Sequence, residues 1–226
     1  MIVIVIASPS LLLQSRAYFL GKKKAFLFID GSNFYHALRQ NNLFGFFSYA
    51  ALFQALSKEF EVSCVFFYDA VKNRLIEPGQ YSRQQSFHER LKKEIPGIII
   101  KTRKLKYLPS SERVEKAKAK AAFCKACTPK LESFLSDAGL LKLSKEKGID
   151  ILLVTDMIKG AFQNSFQTAL LASGDADFVP AVELAQSLGK QVVNLHFYKG
   201  SSSELRNQCN THKLILLDSK SNCILK

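Results

Sequence analysis

Acidic residues are scarce in this chain. It has 19 Asp and Glu against 32 Lys and Arg, a formal net charge of +13 and a pI of about 9.5. That imbalance favours a polyanionic partner such as nucleic acid, although a soluble protein can be basic without one. Tryptophan is absent, and the 18 Phe that fill its place describe the core and carry no functional message. Cysteines are few, odd in number and scattered: Cys64, Cys124, Cys127, Cys209 and Cys223. This excludes a disulfide framework and points to a reducing compartment, the cytoplasm. Cys124 and Cys127 have the spacing of half a zinc ribbon, but no second pair follows, so two ordinary thiols are expected there.

The start of the chain also lacks what an address or an anchor needs. Met1 to Ile6 and Leu11 to Leu13 are apolar, but Ser8, Pro9 and Ser10 split them and no basic residue precedes them. Neither a secretory signal nor a membrane-spanning helix fits. Residues 1–21 read as an extension, residues 22–218 as one domain, and residues 219–226 as a tail. No membrane partner is expected. Self-association is open, since nothing in the sequence demands or forbids it.

Several catalytic signatures are missing too. There is no Gly-x-x-x-x-Gly-Lys-Ser/Thr phosphate loop, no Gly-x-Gly-x-x-Gly and no Gly-x-Ser-x-Gly. Asp30-Gly31-Ser32 lacks the second Asp, two residues on, that an aspartyl-phosphate phosphatase would want.

What is present is an alternation of strand-like and helix-like stretches, the pattern of a mostly parallel sheet covered by helices. Strands are expected at 25–29, 62–68, 98–100, 167–172, 191–197 and finally 213–217. Helices are expected from Ser32, from Ser48 to Phe60, Tyr81 to Ile95, Asp150 to Lys159 and Asp177 to Leu188. The rhythm breaks at about 101–130, where a run of Lys and Arg faces only Glu112 and Glu115. A solvated linker and a nucleic-acid-contacting arm are both compatible with this insertion. Lys101, Arg103 and Lys104, at its start, are candidates for binding substrate.

Three short acidic turns concentrate the remaining information: Asp30-Gly31-Ser32-Asn33, Lys147-Gly148-Ile149-Asp150 and Ser173-Gly174-Asp175-Ala176-Asp177. Taken singly, Asp30, Asp150 and Asp177 are each explained as a helix N-cap. Taken together at the carboxyl ends of parallel strands, they resemble a ligand crevice. Two carboxylates 4 Å apart repel by roughly 4 kcal/mol at an effective dielectric of 20, so a cluster calls for a cation or a proton. Oxygen ligands suit Mg2+ or Mn2+, and such an ion beside a basic surface suits phosphodiester hydrolysis. Asn33 would bind a phosphate oxygen or orient Asp30. Ser173 would position Asp175 or a metal-bound water, or serve only as a turn hydroxyl.

Phe28-Ile29-Asp30-Gly31-Ser32-Asn33, Glu146-Lys147-Gly148-Ile149-Asp150 and Ser173-Gly174-Asp175-Ala176-Asp177-Phe178-Val179-Pro180 resemble, in order and spacing, the NYN domain, the LabA-like branch of the PIN-like nucleases. The resemblance runs from about residue 24 to 218. It implies a three-layer α/β/α fold whose acidic pocket binds Mg2+ or Mn2+ and cleaves RNA. It also implies Asp30, Asp150, Asp175 and Asp177 as metal ligands, with Asn33 beside them in the catalytic set. Asp156 matches a family position as well, but six residues after Asp150 it lies about 120° round the helix and is left outside the set. A catalytically silent nucleic-acid-binding or regulatory module is the alternative. An enzyme acting on small nucleotides is a third.

Overall fold

The strand β1 (Lys23–Asp30) carries the first acidic turn at its carboxyl end, and residues 27–30 are buried, as a central parallel strand requires. The computed structural model describes residues 21–107, 144–145, 148–219 and 221–226. The other elements are α1 (Gly31–Gln40), α2 (Tyr49–Ser57), β2 (Phe60–Val71), α3 (Pro78–Glu94), β3 (Ile99–Lys104), β4 (Lys106–Tyr107) and β5 (Ser144–Lys145). They continue with α4 (Ile149–Phe162), β6 (Thr168–Ala172), α5 (Val179–Ser187), β7 (Gln191–His196), α6 (Ser203–Gln208), β8 (Thr211–Leu217) and β9 (Cys223–Leu225).

The main sheet runs β3-β2-β1-β6-β7-β8-β9. β1 pairs in parallel with β2 on one side and β6 on the other, and β6–β7–β8 continue in parallel. One face of the sheet presents Ala25, Leu27, Ile29, Phe67, Leu170 and Leu195 to Phe34 and Leu38 of α1, Leu52 and Leu56 of α2, and Leu91 of α3. The other face is aromatic. Phe28 stacks on Phe66 at 5.4 Å, Phe66 on Tyr68 at 6.2 Å, and Phe166 closes on Phe26 at 5.1 Å. The buried side chains of α4 and α5, among them Leu153, Met157 and Val182, lie outside the first core. The result is the PIN-like three-layer α/β/α sandwich.

Two compact units are distinguishable. The described residues of 21–69, 86–101 and 150–226 form the first. The described residues of 70–85 and 102–149 form the second; in it, Gln84 brackets the end of β2 by accepting from Lys72 N at 3.0 Å and donating to Ala70 O at 3.0 Å. β4 and β5 pair antiparallel in that second unit. Most of the expected basic insertion, with Cys124 and Cys127, lies outside the described residues, as do residues 1–20. Cys64, Cys209 and Cys223 are free thiols, and burial pushes Cys209 up to about 12.

Several boundaries differ from the sequence expectation. α2 is capped by Ser48, whose Oγ accepts from Ala51 N at 3.2 Å, but it stops at Ser57 because Phe60 already pairs with Lys23 in the sheet. The helix expected from Asp177 is a 3-10 turn (Ala176–Phe178) followed by α5, whose first turn accommodates Pro180. β8 is not the last strand. Within the expected tail, β9 turns back antiparallel, pairing Ile215 with Leu225. α6, capped by Ser202, was not anticipated either, since six residues give too short a pattern to stand out.

Candidate functional site

Strand order reverses at β1, which has β2 on one side and β6 on the other. In open α/β sheets that reversal opens a crevice at the carboxyl ends of the strands. Asp30 ends β1, and Ser173 and Asp175 follow directly after β6. The topology therefore brings together residues that lie more than 140 positions apart in sequence.

Asp30 is 3% exposed and uses both carboxylate oxygens. Oδ1 accepts from Asn33 N at 3.1 Å, which caps α1, and Oδ2 accepts from the Ser173 hydroxyl at 3.0 Å. The Ser173 oxygen in turn accepts from Asp175 N at 3.2 Å. Asp175 caps the 3-10 turn, its Oδ1 accepting from Asp177 N at 3.0 Å. A continuous chain of hydrogen bonds thus runs from Asp30 through Ser173 and Asp175 to Asp177.

Side-chain amides hold this loop from two sides. Asn33 Oδ1 accepts from Gly174 N at 2.8 Å. Asn194, fully buried in β7, donates to Ser173 O at 2.8 Å and to Leu171 O at 3.2 Å. Glycine is required at both turns by close backbone approach. A Cβ on Gly31 would lie 2.5 Å from Tyr68 O, and one on Gly174 would overlap the Gly200 carbonyl.

Asp150 enters from the first turn of α4. Its side chain keeps access to solvent, yet its carboxyl is pushed above the ordinary 3.8, first by desolvation and then by the charges of Asp175 and Asp177. The charges of Asp175 and Asp177 thus reach the Asp150 carboxyl. The donor set is all oxygen, the chemistry of a hard divalent cation. Among the described residues, however, no three His, Cys, Asp or Glu side chains form a ready-made metal-holding group. The physical reason lies in the caps, since Asp30 and Asp175 are turned onto protein N–H and O–H donors.

The other candidates separate. Lys101 donates to Asp156 Oδ1 at 2.7 Å and lies 5.4 Å from the centre of the Phe66 ring. Tyr68 donates to Asp156 Oδ2 at 2.9 Å, and burial followed by the Asp156 charge raises the Tyr68 phenol far above its usual range. Lys101 is thus engaged within the protein, and Asp156 is committed to Lys101 and Tyr68. Arg103 and Lys104 sit exposed on the part of β3 that belongs to the second unit.

Asn194 and Tyr68 escaped the sequence reading. The one available signal was a polar Asn in the otherwise apolar Val192-Val193-Asn194-Leu195. Among the described residues, no helix is long and apolar enough to cross a membrane.

The profile of the NYN domain matches residues 24–217. The uncharacterized protein y4oD of Sinorhizobium fredii is 39% identical over 70 residues, 30% of this chain and 33% of that protein, so the match spans about a third of the relative's length. A Vibrio parahaemolyticus protein of unknown function shares the fold, with a TM-score of 0.57 at 19% identity, over 90% of this chain and 97% of that one.

Proposed function

This chain belongs to the NYN domain family, and from that premise we propose that it is a metal-dependent ribonuclease acting on single-stranded RNA. The observation that carries the proposal is the hydrogen-bond chain that joins Asp30 through Ser173 to the Asp175–Asp177 turn at the sheet's reversal point, with the Asp150 carboxyl near enough to feel the charges of Asp175 and Asp177. Asp30, Asp150, Asp175 and Asp177 would hold Mg2+ or Mn2+, with water and phosphate oxygens completing the coordination. When bound, the cation supplies charge stabilisation at phosphorus and an acidified water. The chain's own part is positional. Ser173 fixes the buried Asp30 carboxylate, Asn33 and Asn194 fix the loop bearing Asp175, and Gly31 and Gly174 let the strand ends close. The net charge of +13 draws the polyanionic strand toward a locally acidic centre.

The test is cleavage of an end-labelled single-stranded RNA. Wild-type protein should cut with Mn2+ or Mg2+ and stop with EDTA, and Asp30→Asn and Asp175→Asn should each abolish cutting. Cleavage that persists in both variants and in chelator overturns the proposal.

One observation favours the silent-module alternative: Asp30 and Asp175 serve as caps, and the described residues form no ready-made metal group. In that case RNA affinity would fall steeply with salt, EDTA would change nothing and no product would form.

A further inference from the structure

Residues 31–58, which run from the first acidic turn through α2, contain no Asp or Glu. On α1, Tyr35 and Arg39 stand one turn apart on the exposed side, and Phe44 folds back beside them from the following turn. Tyr35 and Phe44 meet edge to face at 5.0 Å. The Arg39 guanidinium lies 5.9 Å from the Tyr35 ring and 6.0 Å from the Phe44 ring, and its Nη1 donates to the Tyr35 hydroxyl at 3.1 Å. The rings remain open to solvent: Tyr35 is 37% exposed and Phe44 53%.

A core-forming role does not explain this group, because α1 buries Phe34, Ala37 and Leu38 on its other side. We propose that Tyr35, Arg39 and Phe44 form a stacking subsite for bases of single-stranded RNA. The inference rests on the nucleic-acid reading of the acidic site. Two features select this occupant. Exposed rings backed by a guanidinium offer π-faces and one positive charge together, the combination that holds unpaired bases. The surrounding segment carries no carboxylate to repel a phosphate backbone.

Fluorescence anisotropy in EDTA separates this subsite from hydrolysis. The probes are a labelled single-stranded RNA, the same RNA as a duplex, and an abasic tract of equal charge. Wild type should favour the base-bearing single strand. Tyr35→Ala and Phe44→Ala should each weaken it by at least about fivefold with the salt slope unchanged. Arg39→Ala should also reduce that slope by about 0.7. Tyr35→Phe should retain affinity, which separates a lost ring from a lost fold.

Wild-type binding that the ring variants leave intact, or that they weaken equally on the abasic tract, overturns the subsite and spares the nuclease reading. No RNA binding by wild type overturns both. Unchanged RNA binding with altered sedimentation in the ring variants would make the surface a protein contact and reject the proposal. Cleavage that fails while the stacking effects hold rejects hydrolysis alone.

Discussion

The Ser173 hydroxyl donates to Asp30 Oδ2 across 3.0 Å and ties the end of β6 to the end of β1. Both residues are buried, at 2% and 3% exposure, so the bond is shielded from water and the carboxylate depends on it. The same oxygen accepts from Asp175 N, so one hydroxyl orients two of the acidic turns.

Removing that hydroxyl should be costly. Ser173→Ala leaves a buried carboxylate short of a donor and should lower stability by about 1–3 kcal/mol. Urea denaturation measures the loss. Nuclease turnover should fall in the folded variant, because Asp30 and the Asp175 loop lose their common tether.

Gly174→Ala tests the close approach of two loops. Its new Cβ would overlap the Gly200 carbonyl, a backbone group that cannot swing aside. Overpacking of this kind costs about 1–3 kcal/mol. Thermal unfolding should register it, and the loop shift should reduce cleavage more than Gly189→Ala, whose site is open and well apart, although strained by its positive φ.

The sequence made the outline of the fold and the three acidic turns legible, because both depend on local signals. Apolar runs of five or six residues between turns mark buried strands, and Asp30 before α1 is the expected cap, whereas Asp150 and Asp177 lie inside their first turns and the cap after β6 is Asp175. What stayed hidden depends on pairing across long separations. Asn194 is one more residue of an apolar strand until β6 and β7 align and place Leu171 opposite it. Lys101 reads in the sequence as a candidate for binding substrate, and only the fold pairs it with Asp156, which also accepts from Tyr68. β9 is three residues long, below what periodicity can reveal, and exists because β8 offers it an edge.

The Lys101–Asp156–Tyr68 contact should be chiefly structural. Asp156 is 14% exposed at its side chain, so Asp156→Ala would strand Lys101 against the Phe66 ring and leave the Tyr68 hydroxyl without its acceptor. A loss of about 1–3 kcal/mol is expected, with a coupling to Lys101→Met detectable in a double-mutant cycle. Strict additivity would contradict the link.

Asp150 should titrate above 3.8 in the metal-free protein, observable by carboxyl carbon NMR. The sign follows from the raised value. Its contribution to stability is fully present below 3.8 and is lost as pH rises through the raised midpoint. Asp175→Asn and Asp177→Asn should each lower the midpoint by removing a neighbouring charge. Saturating Mg2+ should lower it further. A midpoint unmoved by both substitutions and by the cation would show that Asp150 stands alone.

The central claim is that four aspartates from three separate turns serve one cation, and Mn2+ binding followed by electron paramagnetic resonance tests it directly. Wild-type protein should take up about one Mn2+ per chain, displaceable by Mg2+. Asp30→Asn, Asp150→Asn, Asp175→Asn and Asp177→Asn should each weaken binding by at least about tenfold. Equal Mn2+ uptake by wild type and all four variants would contradict the shared site.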